Sequence, residues 1–143
     1  MQMSPYLSFE GDCEAAFTFY ERCLGAQLGE IFRYGGSPMA AEVAADWSNK
    51  VMHGSVSLGG QVLLGCDVPP DRYVEPKGFS LSIQPGSIAE AERIFNELAA
   101  NGTVVMPLEK TFWAERFGMV VDRFGVPWLI NCEGSAPLPE IPD

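Results

Sequence analysis

His53 is the sole histidine of this 143-residue chain, and it stands in a strand-like run where His53, Ser55 and Ser57 alternate with Met52, Gly54, Val56 and Leu58. That alternation predicts one polar and one apolar face. If Val56 and Leu58 pack under a helix, His53 points the other way, free to ligate a metal, act as a catalytic acid or base, or bind a substrate oxygen. The competing reading is a hydrogen-bonded histidine on the open face of a sheet. Asp67, at the end of LLGCD, is the second catalytic candidate; it would ligate a metal only with a partner close by. Its plainer reading is a turn residue before Pro69-Pro70. Glu10 and Glu133 flank predicted strands and read as solvated ends.

A second group is aromatic. Phe112, Trp113 and Phe117 precede a final hairpin that carries Asn131, and rings so placed can stack on a planar or apolar ligand while the amide fixes its orientation. Core packing is the alternative, although Ala114, Glu115, Arg116 and Gly118 make the stretch too polar for a plain core strand. Arg116 could meet an anionic ligand or any of the nineteen acidic residues.

Other chemistries lack their signatures. The sequence has no G-x-S-x-G elbow, no phosphate-binding glycine loop and no G-x-G-x-x-G after a strand. Cys13, Cys23, Cys66 and Cys132 are scattered without a C-x-x-C pair, which predicts free thiols rather than a structural zinc site. Cys13 and Cys23 sit on one predicted helix, about 15 Å apart along its axis, too far to bridge.

Nine Lys and Arg against nineteen Asp and Glu give a net charge of -10, which repels phosphate backbones and anionic lipid. Nucleic acid and membrane surfaces are therefore excluded as partners, and a small-molecule ligand is expected. No apolar run approaches the roughly 20 residues of a membrane span. With no basic flank leading into a long apolar region at MQMSPYLSF, a cytoplasmic protein is expected.

The elements that must position these residues come twice. In the first half a strand at Tyr6–Phe9 leads to Asp12, expected as an N-cap, and a helix at Cys13–Leu24 ends at Gly25. Extended segments follow at Leu28–Tyr34, Met52–Leu58 and Gln61–Cys66, with a loop or short helix over 35–50 and a Gly59-Gly60 turn. After a proline-containing linker, the second half has a strand at Phe79–Ile83. Ser87 then caps a helix at Ile88–Ala100, with Glu90 completing the capping pattern. Strands at Thr103–Met106, Met119–Val121 and Val126–Cys132 complete it, with Asp122 and Gly125 at a tight connection. The reading is an α+β fold of two βαβββ modules, 1–70 and 76–134, forming curved mixed sheets around a cleft, with residues 135–143 as a tail.

FYERCLGAQ at Phe19–Gln27, LAANG at Leu98–Gly102 and TFWAERFGMVVDRFGVPWLIN at Thr111–Asn131 resemble the PhnB-like branch of the vicinal-oxygen-chelate superfamily. Its relatives include glyoxalase I, fosfomycin-resistance enzymes and extradiol dioxygenases. The resemblance implies a glyoxalase-like fold, a homodimer and a cleft in which metal-bearing members hold a divalent ion through His and Glu. In this sequence the corresponding strands lack those ligands: Leu129 and Asn131 stand where a Glu is expected, and His53 is left as the metal candidate. Three functions follow: a metal-poor enzyme or binding protein for a planar or apolar metabolite, a divalent-metal lyase or transferase centred on His53, and a binding module without turnover. Members of the branch are often described as 3-demethylubiquinone-9 3-methyltransferase domains, yet no loop for a nucleotide-type methyl donor is present.

Overall fold

The structure is a computed structural model that describes residues 1–133. The chain divides into two compact units, one over Met1–Glu75 and a second beginning at Pro76. The expected tail at 135–143 lies outside the described residues. The first unit contains β1 (Tyr6–Phe9), α1 (Cys13–Leu24), β2 (Gln27–Arg33), β3 (Val51–Leu58) and β4 (Gln61–Asp67). The second contains β5 (Leu81–Ile83), α2 (Ile88–Ala99), β6 (Thr103–Glu109), β7 (Arg116–Val121) and β8 (Pro127–Cys132). Each forms a four-stranded sheet, in the orders β1-β4-β3-β2 and β5-β8-β7-β6. The first strand of each sheet pairs in parallel and the other pairings are antiparallel, so the fold is α+β with one plan used twice.

Each helix covers one face of its own sheet. Leu7, Phe9 and Val56 are buried with Ala16, Phe17 and Tyr20 of α1; Val120, Trp128 and Ile130 are buried with Ala91, Ile94 and Leu98 of α2. A strand glycine lets each helix come close. A Cβ added at Gly65 would lie 2.7 Å from the Phe17 ring, and one at Gly118 would lie 2.8 Å from the Phe95 ring. Both contacts are tighter than side chains tolerate, so each glycine is a seat for a helix phenylalanine. Residues alternating with these point to the opposite, open face of each sheet.

The capping of the helices corrects one expectation. Ser87 caps α2 as expected, its Oγ accepting from Glu90 N at 3.1 Å. Asp12 occupies the N-cap position of α1 but makes no side-chain cap bond. The acceptor arrives from another strand: Asp67 Oδ1 takes the Gly11 and Cys13 N–H groups at 3.0 and 2.9 Å, which frees Asp12 to face solvent.

Strand lengths differ from the sequence reading mainly in the second sheet. β6 runs through Pro107 to Glu109, because it is an edge strand where a missing N–H is tolerated. β7 begins at Arg116 rather than Met119, β5 is limited to Leu81–Ile83, and residues 35–50 contain two 3-10 turns, Ala40–Glu42 and Ala45–Trp47. The four cysteines are free, and three are buried. No helix among the described residues is long and apolar enough to cross a membrane.

Candidate functional site

The four residues expected to bind a ligand come together in the second unit. β6 leads into a tight turn in which Thr111 Oγ1 accepts the Trp113 and Ala114 N–H groups, at 3.3 and 3.1 Å, and Thr111 N donates to Ala114 O at 3.0 Å. The turn places Phe112 and Trp113 side by side, ring centroids 4.8 Å apart and edge to face. Trp113 meets Phe117 of β7 in the same way at 5.2 Å. Phe117 lies directly opposite Asn131 of β8, and since neighbouring Gly118 faces α2, Phe117 and Asn131 share the open face. Asn131 Nδ2 donates to Glu133 Oε1 at 3.4 Å, whereas its Oδ1 is buried with no hydrogen-bond partner among the described residues. A buried acceptor without a donor is uncommon and costs stability.

Arg116 does not join this patch. Being adjacent to Phe117 on β7, it turns to the helix side, where Nε lies 3.5 Å from Glu92 Oε1 and Nη1 donates to Glu115 O at 2.6 Å.

In the first unit, His53 projects from β3 away from α1, since neighbouring Gly54 faces Phe17. The Tyr6 hydroxyl and His53 Nδ1 are hydrogen-bonded at 3.2 Å, and the Tyr6 and Phe32 rings flank the imidazole at 5.7 and 6.4 Å. The Cys66 thiol lies close to Tyr6 and Ser8. Burial, reinforced by Cys66, raises the Tyr6 pKa, and burial likewise raises that of Cys66, so both keep their protons at neutral pH. Tyr34 donates its hydroxyl proton to the Asp67 carbonyl at 2.7 Å. Tyr6 and Phe32 were missed in the sequence, although Tyr6 and Ser8 alternate with buried Leu7 and Phe9 and so share a face with His53 only if β1 and β3 lie in one sheet.

Asp67 is not brought beside His53. It is buried on the helix side of β4, and besides Gly11 and Cys13 it accepts the Val51 N–H on Oδ2 at 2.8 Å. Burial raises its pKa, outweighing the three backbone donors that lower it. This carboxylate fastens the start of α1 to the start of β3. Asp122 does comparable work in the second unit: Oδ1 accepts from Phe124 and Val126 N–H, and Oδ2 from Trp128 Nε1 at 2.8 Å.

The residues present do not fit a divalent metal. No three His, Cys, Asp or Glu side chains among the described residues are grouped so as to hold one. The oxygen hydrogen-bonded to His53 belongs to a protonated phenol, a poor donor for a hard cation. A further buried polar atom, Trp47 Nε1, also lacks a partner; it lies in the turn at 45–47, beside Gly11 and with Lys50 over the ring at 5.7 Å.

Two four-stranded mixed sheets, each with one helix, define a glyoxalase-like architecture. A glyoxalase/bleomycin resistance protein/dioxygenase from Nocardioides shares it, with a TM-score of 0.57 at 17% identity over 100% of this chain and 91% of that one. The sequence pattern of the family 3-demethylubiquinone-9 3-methyltransferase matches residues 1–131, and the chain belongs to that PhnB-like family. It is similar to the putative 3-demethylubiquinone-9 3-methyltransferase, PhnB protein, from Bacillus cereus, with a TM-score of 0.79 and 25% identity, covering 92% of this chain and 99% of that one. It is also similar to Protein YjdN of Escherichia coli (strain K12), 37% identical over 145 residues that cover 96% of this chain and 99% of YjdN.

Proposed function

We propose that this PhnB-like protein binds a small planar or apolar metabolite on the open face of its second sheet, between the Phe112–Trp113–Phe117 rings and the Asn131 amide. The observation that carries the reading is Asn131 Oδ1, buried and without a partner among the described residues, opposite Phe117 at the end of a chain of three rings in which Trp113 meets both phenylalanines. Aromatic faces supply stacking area, and one acceptor with an unmet bond selects a ligand bearing an N–H or O–H. The Tyr6–His53 pair is the remaining candidate for proton transfer, without a metal, and Asp67 enters this reading only as a fastener.

Equilibrium dialysis of a metabolite extract against wild type, Trp113→Ala and His53→Ala tests the proposal. A compound retained by wild type and His53→Ala but lost from Trp113→Ala is expected. Retention that survives Trp113→Ala but requires His53 and added Mg, Mn, Ni or Zn would replace this reading with the metal-dependent lyase.

A further inference from the structure

We propose that the ligand of this face is an organic cation, a protonated amine carried on a planar or apolar body. The inference rests on the binding reading above and adds the ligand's charge. Phe117 is the register partner of Glu109 on β6 as well as of Asn131 on β8, so Glu109, Phe117 and Asn131 form one row across three strands. Side chains of directly opposed residues share a face, which puts a carboxylate at each end of the aromatic group once Glu133 is counted. Glu133 follows Asn131 by two residues and accepts one of its two Nδ2–H groups, while the buried Oδ1 has no partner among the described residues.

Acceptors dominate this row: two carboxylates and one amide oxygen against the single remaining Nδ2–H of Asn131. The rings of Phe112, Trp113 and Phe117 add negative π-faces. Arg116, the cation next in sequence to Phe117, is engaged with Glu92 on the helix side. An anionic ligand would meet the like charge of two carboxylates, and a neutral one would leave both unused. A protonated amine supplies the N–H that Asn131 Oδ1 lacks, balances the carboxylates, and stacks its body on the rings. The net charge of -10 draws such ligands in over longer distances.

Tryptamine, tryptophol and indole-3-acetate carry one indole ring with a positive, neutral or negative tail, and titrating each into the full chain while following the Asn131 side-chain amide and the Trp113 indole by NMR separates the outcomes. Tryptamine is expected to bind about tenfold tighter than tryptophol, with indole-3-acetate weakest. Replacing both exposed carboxylates, Glu109→Gln with Glu133→Gln, should bring tryptamine down to tryptophol, while Trp113→Ala removes all three. Tryptophol or indole-3-acetate binding as tightly as tryptamine, in a Trp113-dependent manner, overturns the cation and leaves the planar-ligand reading standing. If no probe perturbs Trp113 or Asn131, both fall together.

Discussion

The two sheets have the same strand order, yet their open faces differ in what is left unsatisfied. On the first, Tyr6 meets His53, Cys66 lies beside Tyr6 and Ser8, and Tyr34 donates to the Asp67 carbonyl. The residues with the most evident chemistry are already each other's partners. On the second, Phe117, in contact with Trp113, lies opposite an amide whose oxygen has no partner among the described residues. The proposed binding face is therefore chosen by an unmet hydrogen bond rather than by an abundance of reactive side chains. The buried carboxylates repeat the contrast at the level of stability. Asp67 reaches donors 16 to 56 residues away, whereas Asp122 serves donors within its own hairpin.

That contrast is open to direct attack. Asp67→Ala strips three backbone N–H groups of their acceptor and should cost about 3–5 kcal/mol in chemical denaturation, and Asp122→Ala a similar amount. A loss below about 1 kcal/mol at Asp67 would mean that water replaces it and that the long-range fastener is dispensable. Because Asp67 connects distant segments, its loss should loosen α1 and β3 together in hydrogen exchange, while loss of Asp122 stays within the β7–β8 hairpin.

Capping gives a smaller, cleaner difference. Ser87→Ala should destabilise by about 1 kcal/mol, and Asp12→Ala by about 0.3 kcal/mol through the helix dipole alone. Equal losses would restore Asp12 as a working cap. The smallest effect is a pH dependence. Since burial raises the folded-state pKa of Asp67, the native state holds that proton more tightly than the unfolded chain. Its contribution is complete below the unfolded value of about 4 and is lost as pH rises through the folded value. Wild type should therefore lose stability relative to Asp67→Asn as pH climbs from about 4 through the folded value, and a difference that grows in the opposite direction would contradict the burial argument.

The order of elements was legible because local signals agreed: alternation in β1 and β3, helical spacing between Cys13 and Leu24, and the Ser87 cap. Gly59-Gly60 has φ of +55° and +82°, the left-handed pair that a two-residue hairpin needs. Grouping of Phe112, Trp113, Phe117 and Asn131 was legible too, since a hairpin register brings β7 opposite β8. The role of Asp67 was not, because its donors Gly11, Cys13 and Val51 become neighbours only when β1 pairs with β4 and β3. For the same reason Asp12 looked like a cap. The start of β7 was hidden by polar residues: Arg116 alternates to the helix side, where only Glu92 makes its charge acceptable. Glu133 read as a solvated strand end, and nothing in its immediate sequence signals that it would hold the Asn131 amide.

The most direct measurement is a backbone and side-chain NMR titration of the whole protein with tryptamine, mapping which sheet responds. The account predicts shifts at the Trp113 indole, the Asn131 amide, Phe117 and Thr111, with Tyr6, Ser8 and His53 unmoved. Shifts confined to Tyr6, Phe32 and His53 would contradict it and transfer the site to the first sheet.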